Sequence, residues 1–422
     1  MKIRSIINKS RSQVTNMSLY FLAALIPMVL SLVSNPFLAR NLSPEDYAII
    51  GYYSAFVILF GPLINFYLLH FYTKRFYELD AEGRDLLKAT LYRALIFFSL
   101  FLTFIAVLLL CAYKQIINSD SQIPLLPYVV LSMLPLPITG IYTLSLTECR
   151  MKRESKRFFY ISIVNGVLGV GLALLLVVIF HFGAIGRMSA TLITAIIMFV
   201  YTFIHDKDVW KHPFDKKLFY QSLTFCWPLV LASMLTFFCT GYDKILLERQ
   251  NDLHTLGIYS VGVTIAGYLS LFSSSINDTF QPDIYESIVK RNFTRCLKYI
   301  IMKLAIMSVC VIMFALFAPF IINILTYGRY IESAPYAIIV GISSITSMMY
   351  YSMSQVTVAM GYTKITLINK IIGSLVSIVS FGLLIKTHGA IGAAWGVVLS
   401  YLYFFLGNAL LVYYNYKKNR KI

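Results

Sequence analysis

The sequence predicts an all-α polytopic membrane protein, with about twelve transmembrane helices in two parallel-repeat six-helix lobes around a central cavity. Three observations carry this expectation. Hydrophobic residues make up 58% of the 422 and charged residues only 13%, with a mean hydropathy of +0.73, more apolar surface than a soluble core of this size requires. The tetrapeptide GAIG occurs at Gly183–Gly186 and again at Gly389–Gly392, each time between two long apolar segments. The same offset of 206 residues relates GYYS at Gly51–Ser54 to GIYS at Gly257–Ser260. Two matches at one offset point to a duplicated membrane domain.

Apolar windows of roughly 20 residues, the length that spans ~30 Å of hydrocarbon, recur along the whole chain. In the first half they fall at 17–38, 47–72, 91–112, 124–147, 158–181 and 184–204. In the second half they fall at 220–246, 256–280, 298–326, 333–360, 364–385 and 390–414. The first window is of spanning length and lacks a small-residue cleavage site, so it reads as a span and not as a signal peptide. Residues 1–206 are expected to form one lobe, 207–219 a cytoplasmic connector and 220–422 the second lobe. Six spans per half give both halves the same orientation, with a pseudo-twofold axis along the membrane normal. Pro27, Pro62, Pro135, Pro137, Pro228 and Pro319 lie within spans, remove backbone donors and predict kinks.

Charge sets the orientation, because cytoplasmic loops retain Lys and Arg. With the N- and C-termini cytoplasmic, that side holds most of the 36 basic residues, including Arg150, Lys152, Arg153, Lys156, Arg157 and the tail Lys417, Lys418, Arg420 and Lys421. Lys303, one turn into a span, is expected to snorkel to the surface. The net charge of +17 is therefore explained by membrane lipids as partners, with no nucleic acid. The loops are too short for a folded catalytic or nucleotide-binding domain. No GxxxxGK[ST], HExxH or GxSxG pattern occurs. The six cysteines form no CxxC pair, so no metal, disulfide or cofactor framework is indicated. Asp206 and Asp208, in the triplet DKD, read as a solvated loop.

Polar residues inside the spans carry the functional signal, since they cost free energy in lipid. Ser260, Thr264, Gly267, Ser270, Ser274, Asn277 and Gln281 recur at steps of three or four, one face of a helix, with Asp278 beside them. Further stripes contain Ser343, Ser347, Tyr350, Ser354 and Thr357, then Thr366, Lys370, Gly373, Ser377 and Ser380, then Ser233, Thr236, Thr240 and Asp243. Small-residue stripes also serve close helix packing, so each alone is ambiguous, but four in one half favour a shared polar cavity. In the first half Asn35 shares a face with Ser31, and Asn65 punctuates the second span. Arg40, Lys244, Arg187 and Lys370 are the cations that could hold an anionic head group, against a competing reading as snorkelling residues. Asp243 and Asp278 are the candidates for proton or cation coupling, although Asp243 could simply pair with Lys244. Some of the 30 Tyr could line the path and stack on sugars.

Three segments carry a resemblance: NPFLARNLSPEDYAIIGYYS, WPLVLASMLTFFCTGYDKILLERQNDLHTLGIYS and HGAIGAAWGVVLSY. By order and spacing they resemble the Wzx-like polysaccharide flippases of the multidrug, oligosaccharidyl-lipid and polysaccharide exporter superfamily, over nearly the whole chain. The resemblance implies two six-helix lobes around a cationic cavity that opens alternately to either membrane face. It also implies movement of an undecaprenyl-pyrophosphate-linked oligosaccharide across a bacterial inner membrane, in company with a polysaccharide polymerase and a chain-length regulator. Asp243 and Lys244 match the acid-then-base pattern of the seventh span, and Arg40 matches the base that ends the first. Lysine stands at Lys244 where arginine is usual, which keeps charge and loses bidentate geometry. The alternatives are a multidrug or cation antiporter of the same superfamily and a membrane polysaccharide polymerase.

Overall fold

The structure, a computed structural model, describes residues 2–360 and 363–419. Arg420 and Lys421 of the basic tail lie outside the described residues, as do the side chains of Lys417 and Lys418. Regular structure among the described residues is entirely helical: α1 (Lys2–Asn41), α2 (Pro44–Asn65), α3 (Leu68–Arg75), α4 (Ala81–Ile116), α5 (Tyr128–Met151), α6 (Ser155–Ile179), α7 (Gly183–His205), α8 (Lys216–Thr240), α9 (Tyr242–Glu248), α10 (Leu253–Val289), α11 (Phe293–Thr326), α12 (Ala334–Ala359) and α13 (Thr363–Asn419).

Among the described residues, ten helices are long and apolar enough to cross a membrane, and two further facts connect that number to the expected twelve. Helix α1 contains the first apolar window. The 48-residue apolar part of α13, Thr366–Tyr413, would be roughly 72 Å long as a straight helix, twice the hydrocarbon thickness. It bends instead at Gly389, whose φ of 55° and ψ of −132° are not helical, and so forms two segments.

The other copy of the tetrapeptide uses the same device. Gly183 also has φ 55°, at the first residue of α7. At the second glycine of each copy the chain passes close to itself. A Cβ on Gly186 would lie 3.0 Å from the Leu176 carbonyl oxygen, and one on Gly392 would overlap the Leu384 carbonyl. GAIG is thus a corner between two helices, built from one glycine that turns and one that lets backbones approach.

The helices pack as two compact units. One comprises the chain up to Leu42 with Phe60–Leu231; the other comprises Ser43–Leu59 with the chain from Ala232 onward. Helix α2 contributes to both.

In the first unit Gly166 of α6 lets α1 close in, since a Cβ there would lie 2.9 Å from the Pro27 ring. The core between α3, α4 and α5 is formed by Leu68, Phe71, Tyr72, Leu87, Leu91, Tyr92, Ile141 and Leu144. The expected continuous span 47–72 is broken: Phe66 and Tyr67 adopt left-handed φ values of 47° and 52°, and α3 restarts in a new direction. That conformation costs a non-glycine residue about 1–2 kcal/mol and persists where packing fixes it. Here the Tyr67 carbonyl accepts from the Cys226 thiol at 3.3 Å and from the His70 amide at 2.9 Å.

A buried ionic cluster ties the same unit together. Lys88 of α4 reaches Glu148 of α5 at 2.5 Å and Asp206, just past α7, at 2.7 Å. Lys152 reaches Glu148 at 2.7 Å, Arg157 of α6 reaches Asp206 at 2.9 Å, and the Tyr92 hydroxyl donates to Asp206 at 2.6 Å. Burial alone would raise the Asp206 pKa, but Lys88, Tyr92 and Arg157 outweigh it and hold the group at about 2. The DKD triplet is therefore not a uniformly solvated loop. Asp208 is exposed and pairs with Lys211, whereas Asp206 is folded inward.

In the second unit α10, α12 and α13 pack side by side, with α11 against α10 and α12 over Leu269, Met307, Val311 and Met348. The N-terminal part of α2 joins them through the two GxYS glycines. A Cβ on Gly51 would overlap the Ser260 side chain, and one on Gly257 would overlap the Pro44 backbone.

Candidate functional site

The polar stripe of α10 divides into two parts with different jobs. Its N-terminal part is a packing surface, where Ser260 meets Gly51 and the Thr264 hydroxyl donates to the Ser260 carbonyl at 2.8 Å. Its C-terminal part, from Ser270 to Asp278, lines a cavity of about 440 Å³ in the second unit. Helix α12 supplies Ser347, Tyr351, Ser354 and Gln355, while Tyr285 and Tyr401 complete an aromatic rim.

Several wall hydroxyls spend their proton on their own helix. Ser270 donates to the Gly267 carbonyl at 2.5 Å, Ser274 to Leu271 at 2.9 Å and Ser347 to Ser344 at 3.1 Å. Their oxygen lone pairs stay available, so these serines offer acceptors to a ligand.

The donors are set by a lysine that the sequence places about one turn into a span. Lys303 of α11 is 0% exposed, and its ammonium donates to Asn277 Oδ1 at 2.8 Å and to Gln355 Oε1 at 3.2 Å. It does not snorkel. Long side chains reach the surface when the buried alternative lacks acceptors, and here two amide oxygens supply them. With both oxygens engaged, Asn277 and Gln355 have their NH2 groups left for the cavity. Among the described residues no carboxylate lies within ion-pair distance of Lys303. The cavity therefore combines hydroxyl acceptors, amide donors, three tyrosines and a positive charge behind one wall.

Asp243 and Lys244 form a separate cluster of the same unit at the start of α9. Asp243 is 1% exposed and accepts the Tyr259 hydroxyl proton at 2.5 Å through Oδ2, while its Oδ1 has no hydrogen-bond partner. The Lys244 ammonium donates to the Ser54 hydroxyl at 3.0 Å, and Ser54 donates to the Gly51 carbonyl at 2.6 Å. Asp243 and Lys244 feel each other's charge but form no ion pair within 4 Å, since Asp243 accepts from Tyr259 and the Lys244 ammonium donates to Ser54. Lys370 of α13 is anchored at a third place, donating to the Ala232 carbonyl at 2.7 Å in α8.

The structure thus brings Asn277 and Asp278 into one cavity and puts Asp243 and Lys244 in another cluster. The remaining expected residues belong to the first unit: Asn35 and exposed Arg40 near the end of α1, and Asn65 at the end of α2 with a buried Oδ1 beside Gly140. Gln355, Tyr285, Tyr351 and Tyr401 line the cavity without having been singled out, and Lys303, which was expected to snorkel, supports it from behind. A lysine within a span was the available signal, and snorkelling was the wrong account of it.

Residues 14–287 match the family described as polysaccharide biosynthesis protein. The chain belongs to that family. It is 23% identical over 288 residues to the Lsg locus putative protein 1 of Haemophilus influenzae, a match covering 65% of this chain and 66% of that protein. An uncharacterized membrane protein of the same organism is also 23% identical, over 283 residues and 66% of each chain. The chain thus spans just under two thirds of the length of these relatives. The fold is that of solved membrane transporters. An inward-facing multidrug resistance MATE family transporter of the MOP superfamily superposes with a TM-score of 0.72 at 14% identity, covering 94% of this chain and 99% of that one. The lipid II flippase MurJ in an inward closed conformation superposes with a TM-score of 0.67 at 18% identity, covering 93% and 87%. This family member is accordingly a multi-pass membrane protein of the two-lobe, all-helical transporter fold.

Proposed function

We propose that this protein is a flippase that moves a lipid-linked oligosaccharide, carried on a polyprenyl pyrophosphate, from the cytoplasmic to the outer leaflet of a bacterial inner membrane. The observation that carries the proposal is the mixed donor and acceptor wall of the second-unit cavity. Sugars present hydroxyls that both donate and accept, and flat apolar faces that stack on aromatic rings. Ser270, Ser274 and Ser347 supply acceptors, Asn277 and Gln355 supply donors, and Tyr285, Tyr351 and Tyr401 supply rings. A hydrophobic drug would instead be served by an apolar pocket. Family membership and the flippase among the structural neighbours support the same reading.

In this scheme the oligosaccharide occupies the polar cavity while the lipid tail stays in the bilayer, and exposure of the cavity alternates between the two faces. The basic loops support a reading with the N- and C-termini in the cytoplasm. Asp243, buried with one oxygen unpartnered, is the group through which a proton or sodium gradient would act. A polymerase and a chain-length regulator would then use the delivered unit.

The deciding measurement is the leaflet distribution of lipid-linked oligosaccharide, read together with surface polysaccharide, in cells with and without the gene. Accumulation on the cytoplasmic leaflet with loss of surface polysaccharide is expected. Accumulation on the outer leaflet would instead indicate a polymerase, and an unchanged pool would indicate a small-molecule exporter.

A further inference from the structure

The first unit holds a second cavity, of about 660 Å³, which has a different chemistry. It is lined by Phe71, Lys74, Arg75 and Glu78 around α3 and by Lys217, Tyr220, Gln221, Thr224 and Phe225 of α8. Three cations face one acid. Glu78 is occupied by Arg75 at 2.6 Å, and Gln221 accepts from the same guanidinium at 3.1 Å, so Arg75 is held in a fixed orientation. The Lys74 ammonium lies 4.3 Å from the centroid of the Phe225 ring, and among the described residues no carboxylate is within ion-pair distance of Lys74 or Lys217. The left-handed pair Phe66 and Tyr67 is what turns α3 so that Lys74 and Arg75 stand opposite α8.

One side of this cavity continues into hydrocarbon-compatible surface. Tyr220, Trp227 and Leu231 lie one above another on α8 at helical spacing and are 66%, 52% and 48% exposed, with Thr224 of the cavity wall between them. An ion-lined cup that opens onto an apolar stripe matches an amphiphile with an anionic head and a long chain. The surplus of two positive charges matches a diphosphate substituted at both ends, which carries two negative charges, better than a singly charged phosphodiester.

We propose that this cavity is a docking site for the diphosphate of a long-chain isoprenoid lipid, with the chain laid along Tyr220, Trp227 and Leu231. The assignment rests on reading the substrate as diphosphate-linked. Lys74 and Lys217 bind the phosphate oxygens, Arg75 orients them, and the stripe excludes a free diphosphate from binding as well as a lipid-linked one. Its lining residues are distinct from those of the second-unit cavity.

The test uses the full chain in phosphatidylcholine nanodiscs, titrated with farnesyl diphosphate as the probe. The wild type is expected to bind it at least tenfold more tightly than inorganic diphosphate. The double variant Lys74→Gln/Lys217→Gln is expected to weaken binding at least tenfold with an unchanged melting temperature, and Lys74→Arg/Lys217→Arg to retain it. Trp227→Ala is expected to weaken farnesyl diphosphate and leave inorganic diphosphate unaffected. Equal binding by the wild type and the glutamine variant overturns the site. Displacement of the probe by equimolar phosphatidylglycerol also overturns it, because the cavity would then be a general phospholipid seat. Binding is read without export. Export that persists when the gene is deleted, with binding as expected, would sink the flippase reading and leave the site. A glutamine variant that binds and exports normally would do the reverse.

Discussion

Lys303 and Asn277 form a fully buried hydrogen bond of 2.8 Å across α11 and α10, and the bond fixes which end of the Asn277 amide the cavity receives. Gln355 is fixed in the same way from α12. Replacing Lys303 with Met removes a buried charge that has no counter-charge, which favours folding, and releases two amide oxygens, which opposes it. The two effects oppose each other, so Lys303→Met is expected to reach the membrane at near wild-type levels. Both amides then become free to rotate, and export is expected to fall at least tenfold. Lys303→Arg, which retains a donor, should keep part of the activity. Surface polysaccharide measured beside membrane protein level checks this; normal export by the methionine variant would remove the orientation of these amides from the mechanism.

The two corner glycines of GAIG make separable predictions. Gly389 has φ 55° and ψ −132° with open space around a would-be Cβ, so Gly389→Ala meets no neighbour but forces an L-residue into a glycine-favouring region outside the left-handed helix, at a cost of about 1–3 kcal/mol. A Cβ on Gly392 would overlap the Leu384 carbonyl, which is backbone and cannot swing away, so Gly392→Ala should cost more. Gly382 lies inside the helix with nothing within 4 Å, and Gly382→Ala should be neutral or stabilising by up to about 1 kcal/mol. Melting temperatures in detergent give the order, and a Gly392→Ala protein as stable as Gly382→Ala would contradict the packing described.

Acid should weaken the ionic cluster of the first unit within a defined window. Asp206 has its pKa lowered from 3.8 to about 2, so its ionised form is favoured by folding. The stabilisation is complete above the unfolded value and is lost as pH falls through the folded one. Asp206→Asn leaves Lys88 with one partner fewer and should cost about 3–5 kcal/mol at neutral pH, as removal of one partner from a buried pair does. The stability gap between wild type and Asp206→Asn should hold steady from about pH 7 to 5 and narrow from about 4 towards 2. Chemical or thermal melts of both proteins across that range test it, and a gap that grows on acidification would reverse the sign of the argument.

The fold was readable because its determinants are local. Apolar windows report span length, and GAIG reports corners, since a glycine that must turn or permit contact cannot be exchanged without cost. Asn277 and Asp278 were readable for the same reason, as a helical period exposes a shared face. Lys303 and Asp206 were misread because their environments come from elsewhere in the chain. Nothing near Lys303 in sequence shows that Asn277 and Gln355 wait beside it, and nothing near Asp206 shows that Lys88 does. The break at Phe66 and Tyr67 was hidden too, since neither residue favours a left-handed backbone and the packing around Cys226 enforces it.

Asp243 offers the sharpest test of energy coupling. A structural carboxylate at this depth would have both oxygens satisfied, whereas Oδ1 has no partner and the adjacent Lys244 ammonium is directed to Ser54. Asp243→Asn keeps the shape and can still accept the Tyr259 proton, but it cannot change charge. Tyr259→Phe removes the donor and leaves the carboxylate. If a gradient acts through Asp243, flipping in proteoliposomes should be accelerated by an imposed proton or sodium gradient in the wild type and be indifferent to either gradient in Asp243→Asn. Tyr259→Phe should keep a gradient response, because the carboxylate that can change charge is still present. Gradient-driven acceleration that survives in Asp243→Asn would make the residue a structural acceptor for Tyr259 and move the search for coupling to Asp278, which lines the second-unit cavity and is exposed.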